Sequence, residues 1–197
     1  MALRRGFKKE ARELALEVRE ELDTKVFAPM DPYALAELYG VEIFDLTQPE
    51  LPAESVRHLT ELRPHVFSAA LVPLNPSGVI IVENHVHHPK RRRATIAHEM
   101  AHVLLEHPFG PMLTGENGCR SAVSVIEEEA DELSGELLIP SDAARMAAFK
   151  SWSDQSVANY FRVSVPMAQW RMNVTGARRI ACRWRERSMR TRYAVAH

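Results

Sequence analysis

The stretch Arg93-Ala94-Thr95-Ile96-Ala97-His98-Glu99-Met100-Ala101-His102-Val103-Leu104-Leu105 decides how this chain folds and where its chemistry sits. On an α-helix, residues four apart are turned by about 400°, so His98 and His102 fall within about 40° of one face. Both imidazoles can then aim a nitrogen at one metal ion. Glu99 lies about 100° round from His98, beside such an ion, where a carboxylate meets a metal-bound water. Ile96, Ala97, Met100, Ala101, Val103, Leu104 and Leu105 make the other faces apolar, which predicts a buried helix presenting its polar trio to a cavity. With 9 His and 20 Glu among 197 residues, His-Glu-x-x-His is expected by chance about 0.04 times. The bland alternative is a core helix on which two histidines merely pack or hydrogen-bond.

This is the usual arrangement for a zinc-activated hydrolase, with His98 and His102 as metal donors and Glu99 as the catalytic base. Catalytic zinc takes three protein ligands and keeps one position open. The third is sought in Glu127-Glu128-Glu129-Ala130-Asp131-Glu132, at the opening of a helix predicted over about 124–138. Ala130, Leu133, Leu137 and Leu138 set that helix's buried face. Glu127 sits on its inner edge and is the expected ligand, with Glu128 as the fallback. Asp131, one turn on, is placed to accept a hydrogen bond from the second nitrogen of His98 or His102 and fix its tautomer. Glu129 and Glu132 are expected only to favour the helix dipole.

Working outward, residues 8–22 carry apolar residues at helical spacing. Asp31-Pro32 starts a short helix over Tyr33–Tyr39, ended by Gly40. Val41–Leu46 and Val66–Leu74 read as strands, and 47–65 is irregular. Asn75-Pro76-Ser77-Gly78 is a turn joining Val66–Leu74 to the strand Val79–Val82 as a hairpin. That last strand is taken as an edge able to pair with an extended substrate. A Gly/Pro-rich loop over 108–120 separates the two metal-site helices. Ser141-Asp142 caps a helix to about Phe149, Ser153–Phe161 and Val165–Met172 form a helix pair, and 177–192 is a final helix or a frayed tail. The expected class is α+β: a small sheet, two central metal-site helices and a helical C-terminal part. Domain assignment is 1–150 for the metallopeptidase and 151–197 for a helical subdomain with an Arg-rich tail.

Composition bounds the rest. Hydrophobic residues make up 46% and the formal net charge is -1, so a core can form and global charge points to neither nucleic acid nor a membrane surface. Arg4, Arg5, Lys8 and Lys9 lead into no apolar stretch, so no signal peptide is expected. Two distant cysteines, Cys119 and Cys182, make no disulfide framework and suit a reducing compartment. A cytoplasmic protein without a membrane span is the expectation.

At this point the blocks Arg93–Leu105, Glu127–Leu133 and Glu136-Leu137-Leu138-Ile139-Pro140 together resemble the ImmA/IrrE family of metallo-endopeptidases. The resemblance covers most of the chain and is weakest in 47–65 and after 176. It implies a minimal thermolysin-like (gluzincin-type) fold. It implies Zn2+ held by the two motif histidines and a downstream glutamate. It also implies a typical task, cleavage of a helix-turn-helix repressor to release genes of a mobile element or stress response. Leu133-Ser134-Gly135 departs from the family's usual aromatic and alanines; Gly135 costs the helix about 1 kcal/mol against Ala and would permit close packing. No repressor-type DNA-binding domain is expected ahead of the peptidase, whereas some relatives have one.

Two other functional classes compete: a non-cleaving, zinc-containing anti-repressor or sensor, and a DNA-binding regulator acting through the C-terminal helices. The pair Ser153–Met172 has a helix-turn-helix look, and Arg178, Arg179, Arg183, Arg185, Arg187, Arg190 and Arg192 follow it with Trp184 between. Such a run is more often a solvated helix face, and DNA binding is not favoured. Lys90-Arg91-Arg92-Arg93 and His85, His87 and His88 are likewise read as solvated. Tyr160, His107 and Arg93 are the candidates for stabilising an oxyanion.

Overall fold

The computed structural model describes residues 3–48, 51–74, 78–108 and 119–195, with side chains described except in 119–123 and 189–195. The turn expected at residues 75–77 and most of the loop expected over 108–120 lie outside the described residues. The elements run α1 (Phe7–Glu21), α2 (Pro32–Leu38), β1 (Glu42–Asp45), α3 (Ala53–Arg57), β2 (Ala69–Pro73), β3 (Val79–Glu83), α4 (Pro89–Leu104), α5 (Cys119–Leu138), α6 (Ser141–Phe149), α7 (Asp154–Tyr160), α8 (Val165–Val174) and α9 (Ala177–Val195). The chain is α+β, as expected.

Local chemistry places most of these boundaries. The Asp31 side chain accepts from the Tyr33 amide at the start of α2, and Gly40 follows its end at φ 67°, a left-handed conformation that glycine adopts without steric cost. Ser153 and Ser164 cap α7 and α8 by accepting from the amides of Ser156 and Met167. The start of α6 differs from expectation. Ser141 is its first residue, not its cap, and the Glu136 carboxylate accepts from the Ser141 amide at 2.8 Å.

The sheet has the order β1-β3-β2, with β1 parallel and β2 antiparallel to β3. β3 is therefore the central strand, flanked on both sides, and the expectation that Val79–Val82 offers a free edge is wrong. The continuous apolar run Val79-Ile80-Ile81-Val82 fits a strand whose two faces are both at least partly covered. The region 47–65 is not featureless: it holds α3, a single π-helical turn at His58–Leu62 and a 3-10 turn at Pro64–Val66. Asn84, fully buried after β3, ties it down by donating from Nδ2 to the carbonyls of Leu59 (2.8 Å) and Phe67 (3.1 Å).

Two apolar clusters make the core. One joins Phe7, Ala11, Val18, Leu35, Ile81, Ile96, Met100, Leu133 and Leu137; the other joins Ala97 and Leu138 to α6–α9 through Ala144, Val157, Phe161 and Ala168. Helices α4 and α5 contribute to both, so the pair is wedged between two packed faces. The small residues Ala11 and Ala15 let α1 lie close against α5. Arg19, buried, anchors that contact by donating to the Leu137 carbonyl at 2.6 Å. Gly135 serves the opposite face: a Cβ there would meet Trp170 Cζ3 at 3.0 Å and Arg171 Nη1 at 3.2 Å. No helix among the described residues is long and apolar enough to cross a membrane.

Candidate metal centre

The His88 side chain begins α4 by accepting from the Lys90 amide, with Pro89 at the first helical position. The basic run that follows is only partly solvated: Arg91 is exposed, but Arg92 and Arg93 are half-buried and paired. Arg92 forms a two-pronged ion pair with buried Glu83, whose carboxylate also accepts from Tyr33 Oη at 3.1 Å. Arg93 donates to Asp31 and to the Met30 carbonyl, and Arg91 donates to Ser68 Oγ. These bonds seat the N-terminal half of α4 on β3 and α2 despite the unfavourable sign of the charge at that helix end. His87 contacts the Pro64 carbonyl through Nε2 at 2.8 Å, so the histidine-rich connection is structural as well.

One turn further on, three side chains converge. His98 Nε2 and His102 Nε2 are 3.1 Å apart, and Glu127 places Oε2 3.2 Å from the first and Oε1 3.7 Å from the second. These three form a group able to hold a metal ion among the described residues. Two nitrogens bound to one tetrahedral ion at about 2.0–2.1 Å would sit about 3.3 Å apart, so the spacing fits a shared cation. Glu127 reaches the imidazoles; Glu128 instead accepts from Ser124 Oγ at 3.3 Å. Asp131 Oδ1 lies 3.1 Å from His98 Nδ1, leaving Nε2 to face the other donors.

The surrounding charge sets the proton equilibria of the chain without a cation. Burial lowers the His98 pKa, but the hydrogen bond to Asp131 and the negative potential of Asp131, Glu99 and Glu127 outweigh it, so the net shift is upward. His102, buried and facing His98 and His107, is pushed down to about 4. Glu99 is half-buried on the next face of α4, and burial raises its pKa; His98 opposes this and Glu127 adds to it.

Several acidic residues have roles the sequence did not signal. α5 begins at Cys119, so Glu127–Glu132 lie in its middle and the dipole reading of Glu129 and Glu132 fails. Glu129 is buried, 2.7 Å from Arg4 Nε and 3.6 Å from His107 Nε2. Glu132 and Glu136 bracket the fully buried Arg171 of α8, which also donates to the Ile139 carbonyl at 2.9 Å. Of the oxyanion candidates, Arg93 is engaged with Asp31 and Met30, and His107 sits on the Nδ1 side of His102, away from the converging donors. Tyr160 is exposed and stacks on Trp152 and Phe161. In the C-terminal helix, Arg178 pairs with Asp154, and Arg185 caps the end of α6 through the Ala148 and Phe149 carbonyls.

No curated protein matches the chain. The family model described as Peptidase_M78, IrrE N-terminal-like domain, matches residues 19–173, a span that contains both helices of the His98–His102–Glu127 cluster. The chain thus belongs to the Peptidase_M78 (ImmA/IrrE) family, and the donor cluster within that match makes it a metal-dependent peptidase.

Proposed function

We propose that the chain is a zinc endopeptidase on a minimal thermolysin-like (gluzincin-type) scaffold. In this reading His98, His102 and Glu127 hold the ion, Glu99 is the general base, and Asp131 orients His98. The observation that carries it is the approach of both Nε2 atoms and the Glu127 carboxylate to one point, with Glu99 on the adjoining face of the same helix. All-nitrogen-and-oxygen donors in a His2Glu set suit zinc with one open position. Bound zinc would supply Lewis acidity, polarising the scissile carbonyl and acidifying a water. The protein's own work is then specific. Glu99 takes the proton from the attacking water and returns it to the leaving amine. His98 keeps its lone pair on Nε2 because Asp131 accepts from Nδ1.

The substrate reading follows the family: a regulatory protein, with a helix-turn-helix repressor the expected target. The exposed free Cys182 suits action in a reducing cytoplasm. We assign residues 1–150 to the catalytic part and 151–197 to a helical subdomain docked through the second core.

The test is Glu99→Gln. Zinc content should match the unsubstituted chain while cleavage of a panel of repressors, read as fragment masses, falls at least 10³-fold, a range typical of losing a base. Full cleavage by the variant refutes the role of Glu99. Unaltered substrate masses with the zinc-loaded, unsubstituted chain bound to its partner favour a non-cleaving anti-repressor.

A further inference from the structure

His107 lies five residues past the motif, and the way α4 ends brings it back to the site. The Glu106 amide donates to the Val103 carbonyl (3.1 Å) and the His107 amide to the His102 carbonyl (3.0 Å). That pair of bonds is a Schellman turn. Its left-handed position, usually glycine, is Glu106 at φ 52°, a conformation that residues with a side chain adopt at a steric cost. The turn also brings the residue after the left-handed one against the residue five before it. That contact is usually apolar. Here it is polar: His107 Nδ1 lies 2.9 Å from His102 Nδ1, the rings edge to face.

With the His102 Nε2 lone pair kept for a cation shared with His98 and Glu127, one arrangement of protons satisfies this contact. His102 must carry its proton on Nδ1 and donate it to a bare His107 Nδ1. His107 then carries its own proton on Nε2, toward Glu129 Oε2 at 3.6 Å. Glu129 is fixed by Arg4 Nε at 2.7 Å, and Arg4 also pairs with Glu10 of α1 at 2.7 Å. Both His107 and Glu129 are buried. A neutral imidazole with its proton on Nδ1 is the tautomer that ligates through Nε2.

We propose that His107, backed by Glu129 and Arg4, is a positioning residue that fixes the tautomer and ring orientation of His102, as Asp131 does for His98. The proposal rests on the reading of His102 as a metal ligand. The two histidines are thus supported differently, His98 directly by a carboxylate and His102 by a second imidazole that passes the demand on to one. The same chain of contacts links the metal site to the segment that precedes α1.

The test compares zinc affinity, by competition with a chromophoric chelator, for the unsubstituted chain, His107→Phe, His107→Gln, Glu129→Gln and His98→Ala. Glutamine can accept from His102 with its oxygen and donate toward Glu129 with its nitrogen. His107→Phe should bind zinc 10- to 100-fold more weakly, the range for losing such support, and His107→Gln should recover to within about threefold of the parent. Glu129→Gln should fall between them. Nitrogen-15 NMR of the zinc-loaded, unsubstituted chain should show His102 protonated on Nδ1 and His107 on Nε2. This readout stands even where His107→Phe does not fold.

A His107 proton on Nδ1, or equal affinities for His107→Phe and the parent, overturns the proposal. So does equal weakening in the Phe and Gln variants. Loss of zinc in His98→Ala alongside unchanged His107→Phe removes only the relay. Undiminished binding in His98→Ala removes the metal reading, and the relay with it.

Discussion

At the scale of single residues, the site works by dividing tasks among groups of similar chemistry. His98 and His102 are both imidazoles on one helix face, yet their pKa values move in opposite directions: Asp131 contacts the first and outweighs its burial, while burial, joined by the facing imidazoles of His98 and His107, holds the second down. The consequence for metal binding has a definite sign. A group with a raised pKa holds its proton to higher pH than an ordinary histidine near 6.5, and a cation must displace that proton. Zinc binding at pH 7 should therefore release protons from His98. Apparent affinity should start to fall on acidification from above the ordinary histidine range. Asp131→Asn should shift this onset to lower pH and weaken binding at pH 8 about 10- to 100-fold. Calorimetry in two buffers of different ionisation enthalpy measures both effects. Equal proton release by the variant and the parent would show that Asp131 does not set the His98 proton.

At the scale of elements, periodicity made α4 legible because its motif and apolar flanks all follow the helical repeat. The start of α5 was not legible. The acidic run reads as that end, but it lies mid-helix. The rank of β3 in the sheet was also hidden. Adjacent strands in sequence suggest a hairpin, but nothing local reports that β1 pairs with the far side of β3. The basic run before the motif misled for a related reason: its partners Glu83, Asp31 and Ser68 come from three other segments. Gly135 was legible as a packing residue, and its neighbours give the expectation a direction. Alanine there adds about 1 kcal/mol of helix propensity, but its Cβ would press on Trp170 and on Arg171, which is held by Glu132 and Glu136. Overpacking of this kind costs about 1–3 kcal/mol. Gly135→Ala should be less stable by on the order of 1 kcal/mol in chemical denaturation. A variant more stable than the parent would show that Trp170 yields freely.

At the scale of the whole molecule, the metal helices are held where two cores meet, while α1 and the residues before it are strapped across α5 by Arg4, Lys8 and Arg19 and to α6 by Arg12. Class and donor residues could be read from sequence because helix geometry alone brings His98 and His102 together. Asp131 was legible too, one turn on from Glu127, but the Arg4–Glu129 contact was not, because it joins residues 125 positions apart. A cation bound by α4 and α5 jointly binds only the folded chain, and at about 1,000 times its dissociation constant it adds about 4 kcal/mol of stability. Saturating zinc should raise the midpoint of thermal unfolding by several degrees. Chelator should reverse the rise, and Glu127→Ala should largely abolish it. An equal rise in Glu127→Ala would mean that the ion binds elsewhere.

The most direct test is X-ray absorption at the zinc edge on the purified, zinc-loaded chain, beside a His98→Ala/His102→Ala double variant. The expected result is one zinc per chain with four nitrogen or oxygen neighbours at about 2.0–2.1 Å, two showing imidazole scattering, and no bound zinc in the double variant. Sulfur neighbours near 2.3 Å, or the same spectrum from the double variant, would contradict a centre built on His98, His102 and Glu127.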